Sequence, residues 1–440
     1  MLRARLLSLS CGLALTFAAA TSAGGSPGET PPAGPAVVAA ARMLDVRSGR
    51  MLENVQVLVE NGRIVRVAHG GASVDAPQAR RYDLGDATLL PGLIDMHVHI
   101  DSDPTYSGYT YLQFSDRFWS AVSVTHAQKT LMAGFTTIRN LGSEDWNDVG
   151  LQQAIDENRV LGPRIVPAGY AFGATGGHCD STYFPPSMND YNRYNADTPE
   201  EARKSVRGVR KYGAQVIKIC ATGGVFSRNT ESGQQQMTYE EMKATVDEAR
   251  MWGLRVAAHA HGASGIRDAI RAGVTTIEHA SLLDDEGIRL AKQHGAWLSM
   301  DIYNTDYTQS EGAKNGVLED NLRKDRELAE IQRENFRRAH QAGVKMVYGT
   351  DAGIYPHGDN AKQFAVMVRY GMTPTQAIQS ATINAAEALG RNDLGAIEAG
   401  RVADLVAVPG NPAQDVTRLE HVAFVMKGGV VVKSHETSRE

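Results

Sequence analysis

The feature that most constrains this chain is a recurring step in which helix-like sequence runs into a glycine and a β-prone strand follows at once. The step occurs at Gly134, Gly213, Gly253, Gly273, Gly295 and Gly343. Runs such as Phe135-Thr136-Thr137-Ile138 and Val344-Lys345-Met346-Val347 come directly after it. Glycine is the usual residue for the left-handed turn that closes a helix. The spacing is irregular, which excludes a solenoid repeat. Strands that are each entered from a helix are parallel strands. Adding Leu89 to His99 and Arg164 to Gly169 brings the count to eight. The expected fold is therefore α/β, a (β/α)8 TIM barrel over residues 89–392, with an open doubly wound sheet as the alternative. In such barrels the chemistry sits at the C-terminal ends of the strands.

The two ends of the chain read differently. Val37 to Ala40, Val55 to Val59 and Arg63 to Val67 are short β-prone segments, the last two joined by an Asn61-Gly62 turn that suits a hairpin. Ala403 to Val408, Val422 to Met426 and Val430 to Val432 form a matching set, with Gly428-Gly429 as a turn. Residues 36–88 and 393–440 are expected to assemble one small β-sandwich-like domain.

Ahead of this lies a different kind of segment. Arg3 and Arg5 precede an apolar run from Leu6 to Ala20, then Thr21-Ser22-Ala23 and a Gly/Pro-rich stretch. Residues 1–23 read as a secretory signal peptide and 24–35 as a flexible linker, so the expected address is secreted or periplasmic. Cys11 lies inside the signal. Of the remaining Cys179 and Cys220, both fall near the site argued next, and two partly buried thiols are expected rather than a pair. A net charge of −5, with no Lys/Arg block, excludes a nucleic-acid footprint. No membrane association is expected once the signal is removed.

Chemistry-bearing residues fall at the strand ends. The first strand closes on Asp95-Met96-His97-Val98-His99, and alternate strand residues share a face, so both imidazoles point the same way. The fourth reads Val216-Ile217-Lys218-Ile219-Cys220, placing a lysine in an apolar run where lysine is rarely tolerated without a partner. The fifth ends at His259, the sixth at His279 and the eighth at Asp351. Each residue alone has an ordinary structural explanation. Four histidines, a lysine and an aspartate at one rim do not, and imidazoles on a rigid face suit a divalent metal.

These residues, with Pro91 to His99 and the tail Gly395 to Leu405, resemble the metal-dependent amidohydrolase superfamily. Val256 to Gly262, Gly349 to Ala352 and Ile217 to Gly224 are similar to its peptidase-like branch, which includes Xaa-Pro dipeptidase-like, carboxypeptidase-like and ochratoxin-hydrolysing proteins. The resemblance implies two divalent metal ions, Zn2+ by expectation. His97, His99 and Asp351 would hold one, and His259 and His279 the other. Lys218 would bridge them as an N6-carboxylated lysine, burial favouring the neutral amine that reacts with carbon dioxide. A hydroxide bridging the metals would attack the carbonyl, with Asp351 accepting the proton. His261 would support the site. Related deaminases carry a glutamate just after the fifth-strand histidine. His259-Ala260-His261-Gly262 has none, which favours amide hydrolysis.

The substrate side is less explicit. His178, in the Gly-rich loop Gly173 to His178, could donate to an oxyanion or a carboxylate. Arg228 and Tyr303 could bind a carboxylate. Tyr106, Tyr109, Tyr111, Phe114, Phe118 and Trp119 could form an aromatic wall or lid, or equally pack against a partner subunit. The expected activity is hydrolysis of dipeptides, C-terminal residues of short peptides, N-acyl amino acids or ochratoxin-like amides by a homo-oligomeric zinc amidohydrolase or metallopeptidase. Cyclic-amide or lactone hydrolysis on the same site is the alternative, and a non-catalytic binding protein the rival from outside enzymes.

Overall fold

The computed structural model describes residues 34–434; the expected signal peptide and all but the last two linker residues lie outside them. Eight parallel strands follow in order: β1 (Leu93–Val98), β2 (Phe135–Asn140), β3 (Arg164–Pro167), β4 (Val216–Cys220), β5 (Arg255–Ala260), β6 (Thr276–His279), β7 (Trp297–Ser299) and β8 (Met346–Val347). All six glycine steps carry the left-handed backbone expected of them, with φ between 70° and 116°. Gly273 and Gly295 each cap the C-terminus of a helix.

The arrangement is TIM-barrel-like. Strands β1–β2–β3 form one sheet and β4–β5–β6–β7–β8 another. The two meet at both edges through single parallel bridges, Phe172 with Ile219 and Val98 with Ala352, instead of one uninterrupted ladder. Short edge strands explain this. β8 has two residues, and the chain leaves the ladder before Asp351, whose φ of 58° is not a strand conformation. Along β4 the alternation is plain. Ile217 and Ile219 join the large cluster shared with the helices, whereas Val216 packs with Leu141, Ala168 and Ala257. Lys218 shares the face of Val216.

The segment Leu89 to His99 is two strands, not one. Ala87–Pro91 pairs with Leu405–Pro409 in a second sheet, and β1 begins only after Gly92. A side chain at Gly92 would come within 2.1 Å of Thr136 Oγ1, so only glycine lets the chain pass between the sheets. The second sheet draws on both ends of the described chain. Its order is Val430–Ser434, Phe424–Lys427, Leu405–Pro409, Ala87–Pro91, Ala36–Asp45, Arg50–Glu60 and Arg63–Ala68, with Arg80–Asp83 beside Ala36–Asp45. These strands are joined in one hydrogen-bonded sheet, and its two ends pack together through Val59 and Ile64 with Phe424 and Met426. Both expected hairpins are present: Glu60 faces Arg63 across Asn61-Gly62, and Lys427 faces Val430 across Gly428-Gly429. All four turn residues have positive φ, the requirement of the twist-matched two-residue turn. Val38, Val57, Leu89, Leu405 and Phe424 give this sheet its own apolar cluster. Among the described residues no helix is long and apolar enough to cross a membrane.

Candidate active site

The strand ends deliver the expected side chains to one place. His97, Lys218, His259, His279 and Asp351 are all buried, and His99 is partly so. His97 Nε2 and His99 Nε2 lie 3.4 and 3.2 Å from Asp351 Oδ1. Lys218 Nζ is 3.4 Å from His97 Nε2. The His279 ring stands 5.1 Å from that of His97 and 4.5 Å from that of His259. Ligand atoms within 4.8 Å of one another group as His97, His99 and Asp351, as His259, His261 and His279, and as His279, Asp301 and Asp351.

The electrostatics suit cations. Burial, reinforced by Lys218, pushes His97 down to about 4, and burial with crowding by its neighbours holds His259 and His261 well below the usual imidazole range. Neutral imidazoles offer lone pairs. Burial lowers Lys218 to about 8, making the neutral amine accessible. Burial would raise Asp351, but His97 and His99 outweigh it and hold the carboxyl at about 2. Buried nitrogen lone pairs converging on an ionised carboxylate is a donor set that fits divalent metals. The backbone supports a functional reading as well. His279 and Asp351 are non-glycine residues with φ of 70° and 58°, a conformation that costs of order 1–3 kcal/mol and persists where surroundings impose it.

Supporting groups reveal residues that sequence reasoning missed. His279 Nδ1 is 2.9 Å from Asp301 Oδ1, which also accepts from Gln332 Nε2 at 3.0 Å. Asn304 Nδ2 donates to Asp301 Oδ2 and Asp351 Oδ2. Asp95 accepts from Thr350 Oγ1 at 2.6 Å and Asn360 Nδ2 at 2.8 Å, tying β1 to the turn that presents Asp351. Glu278 Oε2 faces His97 Nδ1 at 3.2 Å, while its Oε1 accepts from Arg139 Nη2 at 2.8 Å. The signal was present: Asp95, Arg139 and Glu278 are charged residues in buried strands, the same oddity that singled out Lys218. His261, read as a supporting residue, has its Nδ1 2.8 Å from Ser281 Oγ and groups directly with His259 and His279.

His178 is brought to the site. Its ring stacks on His259 with centroids 4.1 Å apart, and its Nδ1 lies 2.9 Å from Ser227 Oγ. The expectation of two thiols is corrected here. Cys179 and Cys220 form a disulfide, Cα atoms 5.8 Å apart, because the loop after β3 runs alongside the end of β4 where Gly173 packs on Cys220. Sequence alone does not reveal that adjacency.

The aromatic residues after β1 pack against one another and against the loop after β3. Tyr106, Phe114, Phe118 and Trp119 pack together, and Tyr109 and Tyr111 reach Phe184. Arg228 donates to Tyr109 Oη at 2.8 Å and lines a cavity of about 430 Å³ with Tyr109, Tyr183, Phe184 and Met188. Tyr303 does not join Arg228 there. It packs edge-on against Tyr355, 4.9 Å away, beside Lys362.

Fold and site together define a hydrolase with a TIM-barrel-like α/β fold, and the amidohydrolase family profile matches residues 88–433. The chain belongs to the amidohydrolase family. It is 32% identical over 370 residues to ochratoxinase from Aspergillus niger, covering 78% of this chain and 75% of that protein. The crystal structure of A. niger ochratoxinase superposes with a TM-score of 0.81 at 28% identity, covering 92% of this chain and 96% of that one. A Xaa-Pro dipeptidase crystallised with methionine in its active site superposes with a TM-score of 0.85 at 34% identity, covering 91% of this chain and all of that one. The suspected branch of the superfamily is thereby matched.

Proposed function

We propose that this protein is an exported, homo-oligomeric amidohydrolase that cleaves the amide bond of dipeptides, C-terminal residues of short peptides, or N-acyl amino acids, ochratoxin-like amides included. The strands from Leu93 onward would form the catalytic barrel, and the sheet drawn from both ends of the described chain its accessory domain. The observation that carries this reading is the buried convergence of His97, His99, Lys218, His259, His279 and Asp351 at the C-terminal ends of five parallel strands. The relatives named above, one acting on ochratoxin and one on Xaa-Pro dipeptides, support an amide substrate.

His97, His99 and Asp351 would hold one divalent cation, His259 and His279 a second, and Lys218 as a carbamate would serve both, with zinc the expected metal. What such cations supply is polarisation of the carbonyl and a water of lowered pKa. The chain's own residues do the rest. Asp351, ionised at neutral pH, takes the proton from the attacking water and passes it to the leaving amine. His178 donates to the carbonyl oxygen as charge develops there. Arg228 binds the carboxylate of the departing amino acid. The Tyr109–Tyr183–Phe184 wall receives an apolar side chain and excludes water.

The test is a panel of dipeptides and N-acyl amino acids with zinc and bicarbonate supplied, for wild type and Lys218→Ala. Turnover by wild type alone is expected, with phenylalanyl C-termini preferred over lysyl. A lysyl preference would remove the aromatic-wall assignment. Two metals per chain without turnover would redirect the search to cyclic amides and lactones. No bound metal would leave a binding protein.

A further inference from the structure

His178 is held from several directions. Its backbone N–H donates to Gln236 Oε1 at 2.8 Å, and its neighbour Cys179 is bonded to Cys220. Its ring lies flat across Gly224, where any side chain would come within 2.3 Å of the imidazole. The loop after β4 then wraps back. Ser227 and Thr230 are buried, with Ser227 Oγ 2.9 Å from His178 Nδ1 and 2.5 Å from Thr230 Oγ1.

That loop is fixed by Lys324, which is only 1% exposed. Its ammonium donates to the carbonyl oxygens of Gly224, Ser227 and Thr230 at 3.1, 2.5 and 3.2 Å, with Asp320 Oδ2 farther off at 3.5 Å. A lysine buried so completely, with its three shortest contacts on one short loop, holds Ser227 at a defined distance from His178.

Counting hydrogens gives the loop a direction. Ser227 and Thr230 carry one hydroxyl hydrogen each, and Thr230 Oγ1 has no acceptor other than Ser227 Oγ among the described residues. Thr230 therefore donates to Ser227. Ser227 then donates either to His178 Nδ1 across 2.9 Å or to Gly224 O across 3.3 Å. The shorter contact is the better hydrogen bond. With Nδ1 accepting, the ring hydrogen sits on Nε2, which makes no hydrogen bond among the described residues.

We propose that Ser227, placed by Lys324 and oriented by Thr230, is a positioning residue that holds His178 in the tautomer with its hydrogen on Nε2, ready to donate to the substrate carbonyl oxygen. This rests on the hydrolase reading above. It adds a one-way hydroxyl relay, contributed by a loop that carries none of the six rim residues.

The decisive experiment pairs kinetics with spectroscopy on the metal-loaded enzyme. Ser227→Ala is expected to lower kcat by roughly 10- to 100-fold, the usual cost of losing a group that orients a functional histidine, with KM and metal content unchanged. In a His178→Gln background the same substitution has no further effect, since there is no tautomer left to set. Ser227→Thr, which keeps the hydroxyl, restores activity. An equal loss in both backgrounds, or no loss in either, overturns the proposal. Nitrogen-15 shifts of labelled histidine, assigned with His178→Gln, show directly which ring nitrogen is protonated. A hydrogen on Nδ1 in wild type overturns the proposal as well. That readout needs no substrate, so failure of the hydrolase reading and failure of the tautomer assignment are distinguishable.

Discussion

Lys218 Nζ lies 3.4 Å from His97 Nε2, and Lys218 makes no ion pair among the described residues. Burial is the leading cause that holds this amine toward its neutral form, at about 8, although Glu278 and Asp351 act the other way. The unmodified side chain is a poor tenant of this position, whereas the carbamate proposed above would place oxygens among the imidazoles.

Lys218→Ala is therefore expected to lose metal and activity together, beyond the ~10- to 100-fold that removing a ligand's supporting partner costs. Metal analysis of the purified variant, alongside carbon-13 bicarbonate labelling of wild type, is the check. Two metals retained by the alanine variant would defeat the bridging role.

Arg139 and Glu278 form an ion pair with side chains 2% and 0% exposed, and Glu278 also faces His97. Arg139→Met leaves the carboxylate buried and uncompensated. The expected loss is about 3–5 kcal/mol in unfolding free energy, measured by urea denaturation. Adding Glu278→Gln is expected to recover part of it; no recovery would mean that Arg139 acts through its bonds to Met96 O and Thr276 instead.

The Cys179–Cys220 disulfide joins the neighbour of His178 to the strand of Lys218. The Cys179→Ser/Cys220→Ser double variant is expected to lose about 2–4 kcal/mol of stability. Its kcat should fall while its metal content stays, because the His178 loop is released and the rim ligands are not. Unchanged turnover in the double variant would show that Ser227 and Gln236 hold His178 without help.

Asp148 gives a pH signature away from the rim. Buried, and next to Asp101, it is raised to about 6 although it accepts from Gly169 N and Asn140 Nδ2. A carboxyl with a folded pKa above its unfolded value stabilises fully below the unfolded value, near 3.9. That contribution is lost as pH rises through the folded one. The group should thus cost the fold about 2 kcal/mol between pH 4 and pH 7. Asp148→Asn, fixed in the neutral state, should gain on wild type over that interval. A stability difference independent of pH would rule out this titration.

Much of the molecule was legible beforehand because it depends on local rules. The glycine steps encode helix ends that only a left-handed residue closes, and all six behave so. Both hairpin turns follow from Asn-Gly and Gly-Gly pairs. The six rim residues could be named because a parallel barrel gathers strand ends, and alternation puts His97 and His99 on one face. Where the reading failed, the deciding contact was remote in the chain. The break at Gly92 depends on Thr136 and Asp404, and the disulfide on a loop passing Cys220.

By itself the sequence determined the parallel α/β rhythm, the turns and the set of residues at the rim, since each follows from backbone preference and periodicity within a few neighbours. Only the tertiary structure decided which groups hold those residues: Arg139 on Glu278, Asp301 on His279, Ser227 and Lys324 around His178. Such pairings are set by distance in space. A buried polar group takes whatever partner the packed chain brings within reach, and no local pattern records which one that is.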